Sequence, residues 1–271
     1  ISLEKGSMFT VKPSQMNMLW EERRIQFREK LARHISTVFS RPAQIAGTKH
    51  VDKLVDLALK RAARHGFHTI ATVQSYSDHM IMLGAFFDED PLLMHVAAPL
   101  SDPDITNKIA RMDKVYERAI VYRQEIEGQG AIRLYEALAR LSTYIRSADR
   151  IRATSRANLI ALFERIYPEK ASVMASALHP ALDRAEAEQK ARGLITPQGH
   201  VIHGLVSLMA GSGWLDNPMF IGAAPIEHAA LIAETEPIER GKKLHGCVEI
   251  YLSSVMEIAR EEAPYGLVRD T

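Results

Sequence analysis

Cysteine is nearly absent from this chain, since Cys247 is the one thiol among 271 residues. A single thiol excludes an intramolecular disulfide, and such sparing use is typical of proteins from a reducing compartment. Cys247 lies within an apolar helical pattern, so we interpret it as a buried, inert thiol and not as a nucleophile. The cysteine content therefore favours a cytoplasmic protein.

Long apolar segments are also missing. No run of 18 apolar residues exists, which excludes a membrane-spanning helix and predicts no membrane insertion. The opening residues 1–7, ISLEKGS, lack the apolar centre of a signal peptide. Because Gly6 and Ser7 directly precede Met8, this opening resembles a cloning remnant, and we expect it to lie outside the fold.

Neither sign of charge dominates, because 34 basic residues oppose 33 acidic ones for a net charge of +1. Nucleic-acid-binding proteins usually carry a basic excess or stripe, so no nucleic-acid partner is predicted. One stretch between residues 140 and 156 is more one-sided in its charge. It is either a solvated surface or a contact for an acidic partner protein, and its candidate partner-binding residues are Arg140, Tyr144, Arg146, Arg150, Arg152 and Arg156.

Strand signals are scarce as well, since no alternating apolar pattern of useful length occurs. Apolar residues instead recur at helical spacing, and an apolar fraction of 46% is enough for a sizeable core. We therefore predict an all-α, bundle-like body. The first expected helix runs from Pro13 to Arg41-Pro42, the second from Thr48 as its cap to Gly66, and the third from Thr69 to about Phe87. A further helix is expected to start at Ser101–Asp104, and the last one to run from Pro237 to Glu262. Between them we expect a helix kink at Pro180 and a loop at Asn217–Pro225.

The chain repeats itself, because Gly66–Pro91 and Gly193–Pro218 align over 26 residues without a gap. Self-similarity at a fixed offset indicates one supersecondary unit used twice. We predict two pseudo-repeated helical lobes, residues 8–150 and 151–271, joined by a basic connector at 149–155. The matched positions are Gly66 with Gly193, Thr69 with Thr196, Gly84 with Gly211, Phe87 with Trp214, and Pro91 with Pro218.

Known catalytic motifs are absent: the chain has no HExxH, no GxSxG and no glycine-rich phosphate loop. The acidic run Asp88-Glu89-Asp90 lacks calcium-loop spacing, so helix capping explains it better. A third group, His65, His68, Asp78 and His79, is poorly placed for a catalytic dyad, because adjacent helical residues point about 100° apart.

Two histidines one helical turn apart are the weak candidates for metal ligands. His200 and His203, with Asp216 downstream, could serve a helical metal-dependent hydrolase, for which the loop Asp88–Asp90 is the other candidate site. The alternative is that both histidines are half-buried and bonded to backbone carbonyls. We predict no metal, no cofactor and no catalytic residue.

Two segments carry a resemblance to a known group. They are Met8–Phe39, with Phe9 to Gln15-Met16 at its start, and Ala58–Pro91, with Gly66, Thr69, Tyr76, Leu83-Gly84 and Phe87-Asp88-Glu89-Asp90-Pro91. They resemble bacterial proteins encoded beside type VI secretion spike and effector genes. The resemblance covers about the first hundred residues, and its motif is structural in character.

The resemblance implies a cytoplasmic, non-enzymatic partner of a secreted toxin. The first expectation is an immunity protein that binds and neutralises its cognate toxin. The alternative is an adaptor or chaperone that loads an effector onto the secretion spike. The sequence does not give the identity of the partner or the oligomeric state.

Overall fold

The structure, a computed structural model, describes residues 13–147, 155–223 and 236–262, and the side chains within them except those of 13–21, 221, 223 and 258–262. These residues form helices and contain no strand, which confirms the all-α prediction. In chain order the helices are α1 (Pro13–Val38), α2 (Ser40–Ala46), α3 (Thr48–Arg64), α4 (Ile70–Leu83), α5 (Met94–Ala97), α6 (Lys108–Glu127), α7 (Ile132–Arg146), α8 (Arg156–Ile166), α9 (Pro168–Val173), α10 (Leu178–Ala191), α11 (Pro197–Ala210), α12 (Pro218–Ala223) and α13 (Pro237–Glu262).

Buried apolar side chains form one connected cluster that extends from Leu31 to Leu252. Helices of both predicted lobes contribute to it, and α13 packs against α7 while α12 packs against α2 and α3. Burial of this apolar surface is the main stabilising contribution to the fold. The division at residue 150 stays a prediction, because residues 148–154 lie outside the described part of the chain.

Several predicted boundaries were wrong. Thr48 is not a cap: it is the first residue of α3, and Gly47 precedes it without a side-chain hydrogen bond. The predicted start at Ser101–Asp104 is also wrong, because α6 begins at Lys108. There the Asn107 side chain accepts hydrogen bonds from the amides of Ile109 and Ala110, which gives the first turn its cap. Asp102 instead accepts a hydrogen bond from the Asp104 amide in a local turn.

Proline positions explain the other differences. Pro42 does not end the first helix, and Pro180 does not kink a helix; each lies in the first turn of a new helix, α2 and α10. The first amides of a helix have no intrahelical acceptor, so proline loses no hydrogen bond there. The predicted loop at Asn217–Pro225 contains the helix α12, whose first residue is Pro218.

The two copies of the repeat have the same local structure. Helices α4 and α11 are both 14 residues long. Each follows a threonine whose hydroxyl accepts a hydrogen bond from an amide three residues later, at 3.4 Å for Thr69 and 3.0 Å for Thr196. Each ends at a glycine with positive φ, 108° at Gly84 and 93° at Gly211. The third helix therefore stops at Leu83, short of Phe87, and the wider prediction of two repeated lobes stays a prediction.

The carboxyl ends of α4 and α11 meet at close range. A Cβ atom on Gly84 would lie 3.0 Å from the carbonyl oxygen of Ala210, and one on Gly211 would lie 3.6 Å from that of Leu83. Asp90 spans this crossing, because its Oδ2 accepts the Ser212 amide at 2.8 Å and its Oδ1 accepts the Leu92 amide at 2.9 Å. We call this crossing the copy junction, formed by Leu83, Gly84, Asp90, Ala210, Gly211 and Ser212.

Replacing Gly211 by alanine tests the copy junction. Gly47→Ala is the matched control, because Gly47 has a similar backbone (φ 80°, ψ 154°) but no heavy atom within 4 Å of a new Cβ. We expect Gly47→Ala to lose about 1–3 kcal/mol from backbone strain alone. Gly211→Ala should lose at least about 1 kcal/mol more, because its Cβ would meet Asp90 Oδ2 at 2.7 Å. Urea unfolding measures both, and equal losses would contradict the close approach.

Candidate functional site

The acidic run does not act as one unit. Asp90 caps the short 3₁₀ turn Pro91–Leu93, as the sequence predicted. Asp88 does not cap a helix: its carboxylate is buried and accepts hydrogen bonds from Arg61, from His65 Nε2 at 2.8 Å and from Tyr76 Oη at 2.6 Å. The capping interpretation was therefore wrong for Asp88. Because its carboxylate oxygens already accept hydrogen bonds from protein side chains, Asp88 is a poor ligand for a cation.

The electrostatics of Asp88 follow from these contacts. Burial would raise the pKa of Asp88, but the hydrogen bonds from His65, Tyr76 and Arg61 outweigh it and lower the pKa to about 2. Arg61 is itself buried, and it also lies 3.1 Å from Glu89. The cluster is a buried ion pair that fixes the end of α3 against the loop after α4. Sequence reasoning missed it because the paired residues are 27 positions apart.

The second copy replaces this cluster by an aromatic one. His203 stands where the first copy has Tyr76, and Leu215 stands where it has Asp88. The ring of His203 is buried 5.4 Å from that of Trp214, and its Nδ1 lies 3.5 Å from Ser207 Oγ, which also accepts from Trp214 Nε1. Burial first, with Arg192 and His200 adding to it, lowers the pKa of His203 to about 3.

The candidate metal ligands are not brought together. His200 Nδ1 lies 2.8 Å from Gln189 Oε1, and Asp216 pairs with Arg192 at 2.5 Å. The expectation of two half-buried histidines bonded to carbonyls was wrong, because His200 contacts a side chain and His203 is fully buried. Over residues 13–147, 155–223 and 236–262, no group of three or more potential ligands could hold a metal ion.

The third group of candidates also separates into unrelated contacts. Asp78 bonds His34 Nε2 at 2.8 Å and not the adjacent His79. The ring of His79 is buried, with Nδ1 2.6 Å from the Ser75 carbonyl oxygen. His65 binds Asp88, whereas His68 is exposed. Cys247 is half-buried, and burial raises the pKa of its thiol to about 11.

The arginine stretch is largely engaged within the chain. Arg140 donates to the Ile166 carbonyl oxygen at 3.2 Å and pairs with Glu136 at 2.8 Å. Arg156 pairs with Asp183 at 2.6 Å and with Glu186. Arg146 is exposed and Tyr144 is half-buried, while Arg150 and Arg152 lie outside the described residues. Among the described positions of this stretch, Arg146 is therefore an exposed charge, whereas Arg140 and Arg156 are paired within the chain.

Each copy presents exposed isoleucines beside its glycine loop. In the first copy, Lys108 at the start of α6 donates to the Gly66 carbonyl oxygen, and Ile109 and Ile70 are 56% and 42% exposed. In the second, Arg240 in the first turn of α13 donates to the Arg192 carbonyl oxygen at 2.9 Å. Ile195 and Ile238 on these segments are 65% and 64% exposed. We call the two sets the paired isoleucine sites.

A cavity of about 360 Å³ lies beside the copy junction. Its walls are mainly apolar and include Ile81, Leu92, Leu93, Leu134, Met209 and Met219. Lys170 on α9 lines it with only 6% of its surface exposed, and its Nζ donates to the Met209 carbonyl oxygen at 2.9 Å. Among the described residues, no carboxylate oxygen lies within 4.0 Å of this nitrogen. Burial lowers the pKa of Lys170 to about 8 against the raising effects of Asp90 and Glu127.

No family model, curated protein or solved structure matches the chain significantly. Within the part of the chain that the structure describes, every helix is too short or too polar to span a bilayer.

The buried ion pair is tested by Asp88→Asn, with Asp216→Asn as the control. The first change leaves the buried Arg61 guanidinium without its main counter-charge, so we expect a loss of about 3–5 kcal/mol in unfolding free energy. Asp216 pairs with Arg192 from a half-exposed position, and its change should lose no more than about 1 kcal/mol. Chemical denaturation compares the two, and losses of similar size would contradict the assigned role of Asp88.

Because His203 is buried in the neutral form, we predict that the unfolding free energy falls as the solution is acidified. Its pKa is about 3 in the folded chain and near 6.5 when exposed, so the unfolded chain binds the extra proton as pH falls below 6.5. We expect His203→Phe to flatten the fall in unfolding free energy between pH 7 and pH 5. His68→Phe, at an exposed histidine, serves as the control for a change from histidine to phenylalanine outside the core, and the flattening in His203→Phe should exceed any change that it causes. An unaltered slope in His203→Phe would refute the assignment.

Proposed function

We propose that the chain is a cytoplasmic protein-binding accessory of a secreted bacterial toxin or effector, and specifically an immunity protein that binds and neutralises its cognate toxin. The resemblance of residues Met8–Phe39 and Ala58–Pro91 to proteins encoded beside type VI secretion genes supplies the partner class. The observation that carries the binding role is the pair of isoleucine sites, each of which places exposed isoleucines beside the glycine loop of its copy and at the start of the charged helix that follows.

The chemistry of these sites suits a protein partner. Burying an exposed isoleucine against a partner stabilises a complex by about 1.5–3 kcal/mol. Ile109 and Ile238 are each the second residue of a long helix, and a cation in the same first turn bonds the adjacent loop carbonyl. These bonds hold the isoleucines on rigid backbone, so little ordering entropy is lost when a partner binds.

The exposed positive charge of Arg146 favours a partner surface that contains acidic residues. Arg146 is an exposed residue at the end of α7. An exposed charge of this kind mainly accelerates association and selects partners of opposite sign. Reversing the charge of Arg146 should therefore weaken partner binding less than replacing the isoleucines does. The effect of this charge reversal on affinity should become smaller as the salt concentration rises.

The proposal is tested by capture of the natively expressed chain from its bacterial source, identification of stoichiometric partners by mass spectrometry, and affinity measurement with the purified partner. We expect the double change Ile195→Asp with Ile238→Asp to weaken binding at least about tenfold, since each buried isoleucine contributes more than 1.4 kcal/mol. Val173→Asp, at an exposed valine on α9, is the control and should bind normally. Thermal unfolding of each variant confirms its fold, and unchanged affinity in the double variant would contradict the assigned surface.

Growth of cells that express the captured partner separates the two accessory roles. An immunity protein restores growth when co-expressed, because it blocks the toxin directly. An adaptor that loads an effector leaves toxicity in place, while its deletion abolishes secretion of the partner. Full toxicity in the presence of the bound chain would therefore reject the immunity role and favour loading.

A further inference from the structure

The cavity beside the copy junction has a feature that protein binding does not use. Lys170 is the amine on its wall, buried among apolar side chains and held by one hydrogen bond to the Met209 carbonyl oxygen. A cavity of about 360 Å³ falls within the range of roughly 300–1,000 Å³ that holds small molecules. Its apolar walls with a few convergent polar groups are typical of a ligand site.

We propose that this cavity binds a small apolar aldehyde or ketone and that Lys170 Nζ forms an imine with its carbonyl carbon. This site is separate from the paired isoleucine sites and does not depend on the proposed toxin partner.

The position of the nitrogen suits this chemistry. A neutral amine has two N–H groups and one lone pair. The hydrogen bond to Met209 uses one N–H and orients the nitrogen, and the lone pair stays free for attack. Because no described carboxylate oxygen lies within 4.0 Å, no ion pair holds the nitrogen in its charged form. Burial in an apolar pocket activates lysine by favouring the neutral amine, and the lowered pKa of Lys170 agrees with this.

The reaction balances without an oxidant or reductant. The nitrogen lone pair attacks the carbonyl carbon, one of the two amine protons moves from nitrogen to the carbonyl oxygen, and a carbinolamine forms. Nitrogen then loses its remaining proton as the hydroxyl leaves with a proton as water, and the C=N double bond closes. One carbonyl compound and one amine thus give one imine and one water. Apolar walls exclude bulk water and slow the reverse hydrolysis.

The local charges favour a neutral ligand. Arg123 carries positive charge, while Asp90 and Glu127 carry negative charge at the same wall. Arg123 and Glu127 pair directly at 2.8 Å, and Asp90 is occupied at the copy junction. The carboxyl end of α11 adds further negative potential, which Lys170 meets at Met209. An anionic ligand would face these carboxylates, and a cationic ligand would face the Arg123 guanidinium, so an uncharged carbonyl compound fits best.

Reductive trapping on the full chain tests the proposal. The folded protein is treated at pH 7 with limiting hexanal and cyanoborohydride, which reduces an imine to a stable secondary amine, and peptide mapping locates the added hexyl group. We expect Lys170 to be labelled at least about tenfold faster than the exposed Lys114, because the apolar cavity binds the aldehyde beside the Lys170 amine. Lys170 labelled no faster than Lys114 would overturn the proposal.

Two controls separate a built site from general amine reactivity. In urea the labelling ratio of Lys170 to Lys114 should fall to about one, since the selectivity depends on the folded cavity. Glyoxylate, a charged aldehyde, should show no preference for Lys170 in the folded chain. A tenfold preference that persists in urea would reject the cavity as its cause, and equal preference for glyoxylate would reject the apolar ligand class.

Discussion

The structure depends on the close crossing of α4 and α11 at their carboxyl ends. Gly84 and Gly211 allow this crossing because each lacks the Cβ that would meet the backbone or the carboxylate opposite. Asp90 then joins the two segments, accepting the Leu92 amide from its own side and the Ser212 amide from 122 positions away. Both carboxylate oxygens therefore bind backbone amides, which is a strong form of hydrogen bonding for an ionised side chain.

The copy junction also determines where the cavity lies. The end of α11 exposes carbonyl groups that lack intrahelical donors, and Lys170 supplies a donor to one of them at Met209. This hydrogen bond offsets part of the free-energy cost of burying the Lys170 amine among apolar side chains. The crossing of α4 and α11 thus accounts both for the tightly packed copy junction and for the Lys170 amine on the cavity wall. The paired isoleucine sites lie at the opposite, amino-terminal ends of α4 and α11.

Local features were the part of this fold that the sequence predicted well. The threonine cap at Thr69 and the start of the last helix at Pro237 depend on residues within one or two turns, so their types were sufficient, whereas the stop at Gly84 was missed because the helix was expected to reach Phe87. The predicted start of α6 was wrong because Asp102 and Asn107 are both good capping residues, and the sequence alone does not decide which of them caps the helix in the folded chain.

Tertiary contacts were the part that could not be predicted. The carboxylates of Asp88, Glu89 and Asp90 are adjacent in sequence, yet one is buried against Arg61, one is half-exposed and one spans the copy junction. The importance of Lys170 was likewise hidden, because a lone lysine in a short helix carries no signal of burial. These roles depend on which helices meet, and that information is not local.

We propose partner binding at the paired isoleucine sites and small-molecule chemistry in the cavity beside the copy junction. Hydrogen–deuterium exchange of the chain with and without its captured partner tests the first claim most directly. We predict slower exchange at residues 66–70 with 107–110, and at 192–196 with 237–241, while amides around the cavity stay unchanged. Protection confined to other surfaces, with both sets of isoleucine segments exchanging as in the free chain, would contradict the account.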